Sequence, residues 1–90
     1  MPRAYGTHLY MVTDAECNLC KIGRSMDVAR RVSELRRGNP WADIRLVAVF
    51  PDQGCLESWV MRALSGHERR GEWFRCSTSE ALTAIGACLV

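Results

Sequence analysis

The stretch HLYMVTDAECNLCKIGRS, residues 8–25, decides the fold because it holds a strand pattern on each side of a turn. Leu9 and Met11 point to one side of the first strand and Tyr10 to the other, which is the period of a strand with two different faces. The residues between the two patterns are rich in turn formers. The predicted pieces are a strand over 8–13, a loop over 14–19 and a returning strand over 20–24. The chain therefore opens with an antiparallel hairpin.

Helical patterns and short apolar runs follow the hairpin. Ser25 or Asp27 can cap a first helix, which residues 38–40 end with a glycine and a proline. The apolar run 44–50 predicts a central strand covered on both faces. Residues 77–80 match a capping box. The predicted elements are a helix to about residue 37, a strand over 44–50, a helix over 54–65, an extended segment over 71–74 and a helix over 78–88.

The order of these elements is β-β-α-β-α-(β)-α. It predicts an α+β fold with a small, mainly antiparallel, three-stranded sheet flanked by helices. The 90 residues suffice for one domain over 1–90. The longest apolar stretch is too short to cross a bilayer, and the N-terminus lacks a signal-peptide pattern. We therefore expect a soluble, cytoplasmic protein without a membrane partner. Of the large aromatic residues, we expect Trp59, Trp73 and Phe74 in the core and Trp41 exposed.

The net charge of +2 is too small to indicate a partner, but the basic residues are unevenly distributed. Residues 21–37 contain six of them against two acidic residues. Arg24, Arg30 and Arg37 are candidate contacts to the phosphate backbone of a nucleic acid, and a solvated helix face is the alternative. Lys21 is the only lysine of the chain.

The five cysteines are an odd number without an export signal, which predicts reduced thiols. Cys17 and Cys20 have the spacing of a zinc knuckle. A structural zinc site needs four ligands, and the sequence has no second pair of this kind. Zinc binding and incidental thiols therefore stay open as alternatives.

Short motifs in a fixed order point to a family. They are His8-Leu9-Tyr10, Lys21-Ile22-Gly23, Arg31, Gly38-Asn39-Pro40, Leu56-Glu57 and Gly71-Glu72-Trp73-Phe74. In this order and spacing they resemble the GIY-YIG endonuclease superfamily, in particular its small stand-alone branch, which is often phage-encoded. The resemblance covers roughly residues 7–80. His8 stands where the family has a glycine, Lys21 where it has a second tyrosine, and Met61 where the branch has a histidine.

The resemblance implies a catalytic set of Tyr10, Lys21, Arg31 and Glu57. Tyr10 would take a proton from the attacking water, Arg31 would hold the phosphate, and Glu57 would bind one Mg²⁺ or Mn²⁺ ion. A phenol has a pKa near ~10, too high for a good base at neutral pH, but a nearby cation lowers that pKa. Lys21 would be this cation if the hairpin register brings it opposite Tyr10.

Each of these residues also has an ordinary structural interpretation. Tyr10 could be a core ring, Lys21 a charge at a sheet edge, and Arg31 a solvated helix residue. Glu57 could pair with Arg62 at helical spacing. The same fold could also serve as a catalytically inactive module that binds a nucleic acid or a protein.

The function that the resemblance implies is a metal-dependent endonuclease that hydrolyses DNA phosphodiester bonds. DNA is therefore the predicted partner. Specificity would come from a homodimer or from a partner protein, and the sequence shows neither.

Overall fold

The predicted hairpin forms the centre of the molecule. The computed structural model describes residues 6–89, so residues 1–5 and 90 of the predicted domain lie outside it. Strand β1 (His8–Asp14) pairs antiparallel with β2 (Leu19–Ser25). The turn between them contains Asn18 at φ 55°, a left-handed conformation that asparagine tolerates better than most residues.

Three further strands complete the sheet. They are β3 (Ile44–Phe50), β4 (Arg69–Arg70) and β5 (Trp73–Phe74). The five strands lie in the order β3-β1-β2-β5-β4, and every neighbouring pair is antiparallel. The α+β class is therefore confirmed, but the sheet has five strands and not the predicted three. Strands of two residues are too short to show a period of alternation, and Gly71, at φ 61°, turns the chain between them.

The helices begin and end close to the predicted residues. They are α1 (Val28–Gly38), α2 (Glu57–Ala63), which follows a 3₁₀ turn at Gly54–Leu56, and α3 (Thr78–Cys88). Asp27 caps α1, because its side chain accepts a hydrogen bond from the Arg30 backbone N–H. Within residues 6–89, no helix is long and apolar enough to cross a membrane.

The prediction that β3 is a central strand is wrong, although its bounds are as predicted. β3 lies at one edge of the sheet, next to β1. Leu46, Val47 and Val49 are exposed, and the β1–β3 register shifts at a bulge. An apolar run is also what a strand buried on both faces would show, so the sequence pattern alone cannot distinguish the two positions.

The sheet separates two apolar cores. Leu9 and Met11 face α2 and α3, while Tyr10 and Val12 face α1. The first core also contains the buried Val60 of α2 and Leu64, which caps the C-terminal end of that helix. This division confirms the two faces predicted for the first strand.

The large aromatic residues lie at the predicted depth with one exception. Phe74 is buried, Trp73 packs partly buried on the α1 core, and Trp41 is exposed. Trp59 is exposed instead of buried, because the short α2 turns Val60 and Leu64, and not Trp59, towards the sheet.

Candidate active site

Tyr10 lies in the middle of the sheet, on the face covered by α1. Its side chain is only 1% exposed, and its cross-strand partner is Gly23 of β2. A Cβ atom on Gly23 would overlap the Cζ and hydroxyl oxygen of the Tyr10 ring. The ring therefore lies across the backbone of β2, in space that any other residue at position 23 would fill.

Arg31 of α1 reaches the Tyr10 hydroxyl. The two side chains lie within hydrogen-bonding reach, and Arg31 also interacts with Glu34, with Nη1 3.4 Å from Oε1. Burial raises the pKa of Tyr10 above the ordinary value, while the hydrogen bond and charge of Arg31 act in the opposite direction. Arg31 is thus not a purely solvated residue, but the expected lowering of the Tyr10 pKa does not occur in the free protein.

Lys21 shares the sheet face of Tyr10, but it is not opposite it. The register pairs Tyr10 with Gly23 and Lys21 with Val12, so Lys21 is a diagonal neighbour of Tyr10. Lys21 is only 4% exposed, and its Nζ lies 3.5 Å from Oε1 of Glu72. Lys21 lies in the third of the five strands, so it is not a charge at a sheet edge.

Glu57 lies at the beginning of α2 and pairs with a residue of the sheet. Its Oε1 is 3.6 Å from Nε of Arg24, the penultimate residue of β2. The alternative of a pair between Glu57 and Arg62 is wrong, since the Arg62 guanidinium lies instead over the Trp59 ring at 5.2 Å. The negative charge of Glu57 is close enough to Tyr10 to raise its pKa, as is that of Glu72.

The structure therefore brings Arg31 and Glu57 close to the Tyr10 phenol and places Lys21 on the same face of the sheet. Arg31 contacts Tyr10, the charge of Glu57 acts on it, and Lys21 is its diagonal neighbour on the sheet. Arg31, whose charge and hydrogen bond act on the phenol, can hold an anion near the Tyr10 hydroxyl. The catalytic roles of these residues stay predictions.

The predicted phosphate-binding arginines differ in their present contacts. Arg24 is paired with Glu57, and Arg30 Nε lies 3.5 Å from Oε2 of Glu34. Arg37 is exposed in the last turn of α1. An open cavity of about 320 Å³ lies beside Arg31 at the beginning of this helix. Its lining consists of Ser25, Met26, Asp27, Arg30, Arg31 and Glu34.

The sequence indicates no role for two residues that form contacts in this region, Glu72 and His8. Glu72 neutralises Lys21, and it belongs to a motif that the sequence offered only as a family feature. His8 accepts a hydrogen bond at Nδ1 from the Asp52 backbone N–H (3.0 Å). This bond fixes the turn after β3, where Asp52 has φ 60°. The histidine at position 8 therefore has a structural role in this chain.

The cysteines do not assemble around the zinc-knuckle spacing. Cys17 is exposed, whereas Cys20 is buried and its Sγ donates to the Cys76 carbonyl oxygen at 3.3 Å. Burial raises the pKa of Cys20 to about 12, which disfavours the thiolate that binds metal ions. In the part of the chain from 6 to 89, no group of three or more His, Cys, Asp or Glu residues could hold a metal ion.

Fold and site together define a small α+β domain with a tyrosine, held by an arginine, at the centre of an antiparallel sheet. Residues 7–89 match the T5orf172 domain, and the chain belongs to that family. No curated protein and no solved structure matches the chain.

Proposed function

We propose that this protein is a metal-dependent endonuclease of the GIY-YIG type that hydrolyses DNA phosphodiester bonds. Tyr10 activates the attacking water, Arg31 holds the scissile phosphate, and Lys21 supplies a second positive charge. Glu57 binds one divalent ion, Mg²⁺ or Mn²⁺. Membership in the T5orf172 family supports a nuclease or DNA-binding role.

The proposal rests mainly on the position of the Tyr10 side chain. Its ring occupies the space left by Gly23, and the hydrogen bond and charge of Arg31 act on its hydroxyl. A buried tyrosine usually finds a hydrogen-bond partner for its hydroxyl, and in this protein that partner is a cation. An arginine presents a planar set of donors that fits a phosphate, so a phosphate held by Arg31 would lie next to the phenol.

In this proposal Glu57 is the single protein carboxylate that would bind the divalent ion. The Glu57 side chain is 29% exposed, so its carboxylate is accessible from solvent. Mg²⁺ often keeps several waters and uses one or two carboxylates together with phosphate oxygens. Glu57 would hold the ion, and the ion would stabilise the negative charge that develops on the phosphate and the leaving oxygen.

In this proposal Tyr10 is the general base, and Arg31 affects its ionisation. The Tyr10 oxygen accepts the proton of the attacking water, which requires the phenolate form. Arg31 favours that form by its charge and hydrogen bond, while burial disfavours it and keeps the pKa of Tyr10 raised. Because the base must be deprotonated, we expect the rate of cleavage to rise with pH across the neutral and moderately alkaline range.

Plasmid cleavage tests the proposal. Supercoiled DNA is incubated with the protein and Mg²⁺ or Mn²⁺, and nicked and linear products are quantified. We expect Tyr10→Phe and Glu57→Ala each to reduce the rate at least about 100-fold, the range for loss of one general base or electrostatic group. Both variants should keep the DNA affinity of the wild type within a small factor.

Glu68→Gln is the matched control for Glu57. Glu68 also pairs with an arginine, Arg75, at 2.6 Å, but in a different part of the molecule. It should leave cleavage unchanged. Equal activity of wild type and Tyr10→Phe would contradict the assignment of the base.

The burial of Tyr10 favours a second candidate, a catalytically inactive module that binds a nucleic acid or a protein. With 1% exposure and a raised pKa, the phenol of the free protein is a poor base. If wild type and both variants are equally inert but bind DNA in a salt-dependent way, this candidate is correct. An inert protein without DNA affinity would be a protein-interaction module.

Specificity through a homodimer or a partner protein stays a separate proposal, tested by the mass of the protein in solution.

A further inference from the structure

The carboxylate proposed to bind the divalent ion is paired with a guanidinium in the free protein. Arg24 Nε lies 3.6 Å from Glu57 Oε1, and the two side chains are 55% and 29% exposed. A long, solvent-accessible ion pair contributes little stability. Arg24 can therefore leave Glu57 at little cost when another cation competes for the same oxygen.

Arg24 adjoins Gly23 in the chain and the beginning of α2 in space. It follows Gly23, on whose backbone the Tyr10 ring rests, and it lies at the end of β2 near the beginning of α2. The arginine side chain is long and half-exposed, whereas the glutamate is shorter and partly buried. A rearrangement of this pair would thus move Arg24 and leave Glu57 in place.

The Arg24 guanidinium and a divalent ion would repel each other if both bound Glu57. A divalent ion binds a carboxylate oxygen at about 2.0–2.1 Å, which would bring it close to the guanidinium now at that oxygen. A displaced Arg24 has all its donors free. Because Arg24 is half-exposed at the end of β2, its planar donors can then bind a phosphate of the DNA backbone from solvent.

We propose that Arg24 couples metal binding to DNA binding. It neutralises Glu57 in the free protein and moves to a DNA phosphate when a divalent ion binds Glu57. The inference rests on the proposed function, and it adds that the ion and the DNA bind cooperatively. By linkage, DNA increases the affinity for the ion by the same factor by which the ion increases the affinity for DNA.

Mn²⁺ affinity, measured from the electron paramagnetic resonance signal of free Mn²⁺, tests the coupling without any turnover. All proteins carry Tyr10→Phe to keep a short duplex intact, and Mn²⁺ binding to the duplex alone is subtracted. With Arg24 present, we expect DNA to increase the Mn²⁺ affinity about fivefold or more, the lower range of measured couplings. With Arg24→Gln, the DNA-free protein should already bind Mn²⁺ more tightly, and DNA should increase that affinity by a smaller factor than when Arg24 is present.

Two further variants separate the coupling from a general effect of charge. Arg75→Gln removes the same charge from the pair with Glu68 and should leave the Mn²⁺ affinity unchanged. Arg24→Lys keeps a cation at the same position and should restore most of the coupling. Circular dichroism spectra confirm that each variant is folded.

The outcomes are distinguishable from failure of the proposed function. Mn²⁺ binding that depends on Glu57 but is the same in Arg24→Gln and Arg75→Gln overturns the coupling alone. Mn²⁺ binding that Glu57→Gln does not change overturns both the metal assignment and the coupling. Tighter binding in Arg24→Gln, rescued by Arg24→Lys, supports the coupling.

Discussion

Gly23 combines a structural and a functional constraint in one residue. Its φ is not in the left-handed region, so the requirement for glycine comes from the Tyr10 ring above it. We expect Gly23→Ala to destabilise the protein by about 1–3 kcal/mol, the cost of inserting a methyl group into filled space. Urea denaturation measures this loss, and cleavage should fall further because the ring must move away from Arg31.

Gly86→Ala provides the control for this substitution. Gly86 lies inside α3, and a Cβ atom there would meet nothing within 4 Å. Replacing glycine by alanine inside an exposed helix stabilises it by roughly 0.5–1 kcal/mol. Equal effects of both substitutions would show that the Tyr10 ring does not need the space at position 23.

The sequence predicted the residues around Tyr10 better than their geometry. The sequence predicts that Lys21 shares the sheet face of Tyr10 if the register brings the two residues opposite each other; they share the face but are diagonal neighbours. Alternation does not fix which residues are opposite, because the register depends on the length and shape of the turn. The contacts of Lys21 with Glu72 and of Arg24 with Glu57 join distant parts of the chain, and no local pattern encodes them.

At the scale of elements, α3 shows a helix whose boundary is encoded locally. Ser77 Oγ accepts from the Glu80 N–H at 3.0 Å, and Glu80 Oε1 accepts from the Ser77 N–H at 2.9 Å. Both bonds lie within four residues, so the capping box predicted the helix correctly. β3 is the opposite case. Its apolar run predicts a strand, but whether another strand lies beyond it depends on the rest of the sheet.

The capping box gives a prediction for the stability of α3. Ser77→Ala should lower the free energy of unfolding by about 1 kcal/mol, whereas Ser79→Ala, in the same turn, should change it little.

The hydrogen bond to the Ser77 backbone keeps the pKa of Glu80 below its usual value. The ionised Glu80 carboxylate therefore adds to the free energy of unfolding at neutral pH, and this contribution is lost as the pH falls through the lowered pKa. Chemical denaturation of wild type and Glu80→Gln between neutral and acidic pH should show their difference shrinking on acidification.

At the scale of the whole molecule, the sheet separates the face that carries Tyr10 and α1 from the face covered by α2 and α3. Arg30 and Arg37 lie seven residues apart on α1, and therefore on one side of that helix, next to the face that carries Tyr10. Arg45 is opposite Thr13, on the other face of the sheet, and is paired with Asp43 at 2.8 Å. The three arginines are all exposed, so their different positions, and not their burial, should decide their effect on DNA binding.

Salt-dependent DNA binding measures this difference between the two sides. Removing one phosphate contact should reduce the slope of log affinity against log salt by about one. We expect Arg30→Gln and Arg37→Gln each to have this effect, measured by fluorescence anisotropy of a labelled duplex in EDTA, and Arg45→Gln to leave the slope nearly unchanged. All three substitutions lower the net charge equally, so a response to overall charge would affect them alike. An equal loss for Arg45→Gln would therefore place the DNA elsewhere, whereas loss in the two α1 variants alone would place it against the face that carries Tyr10.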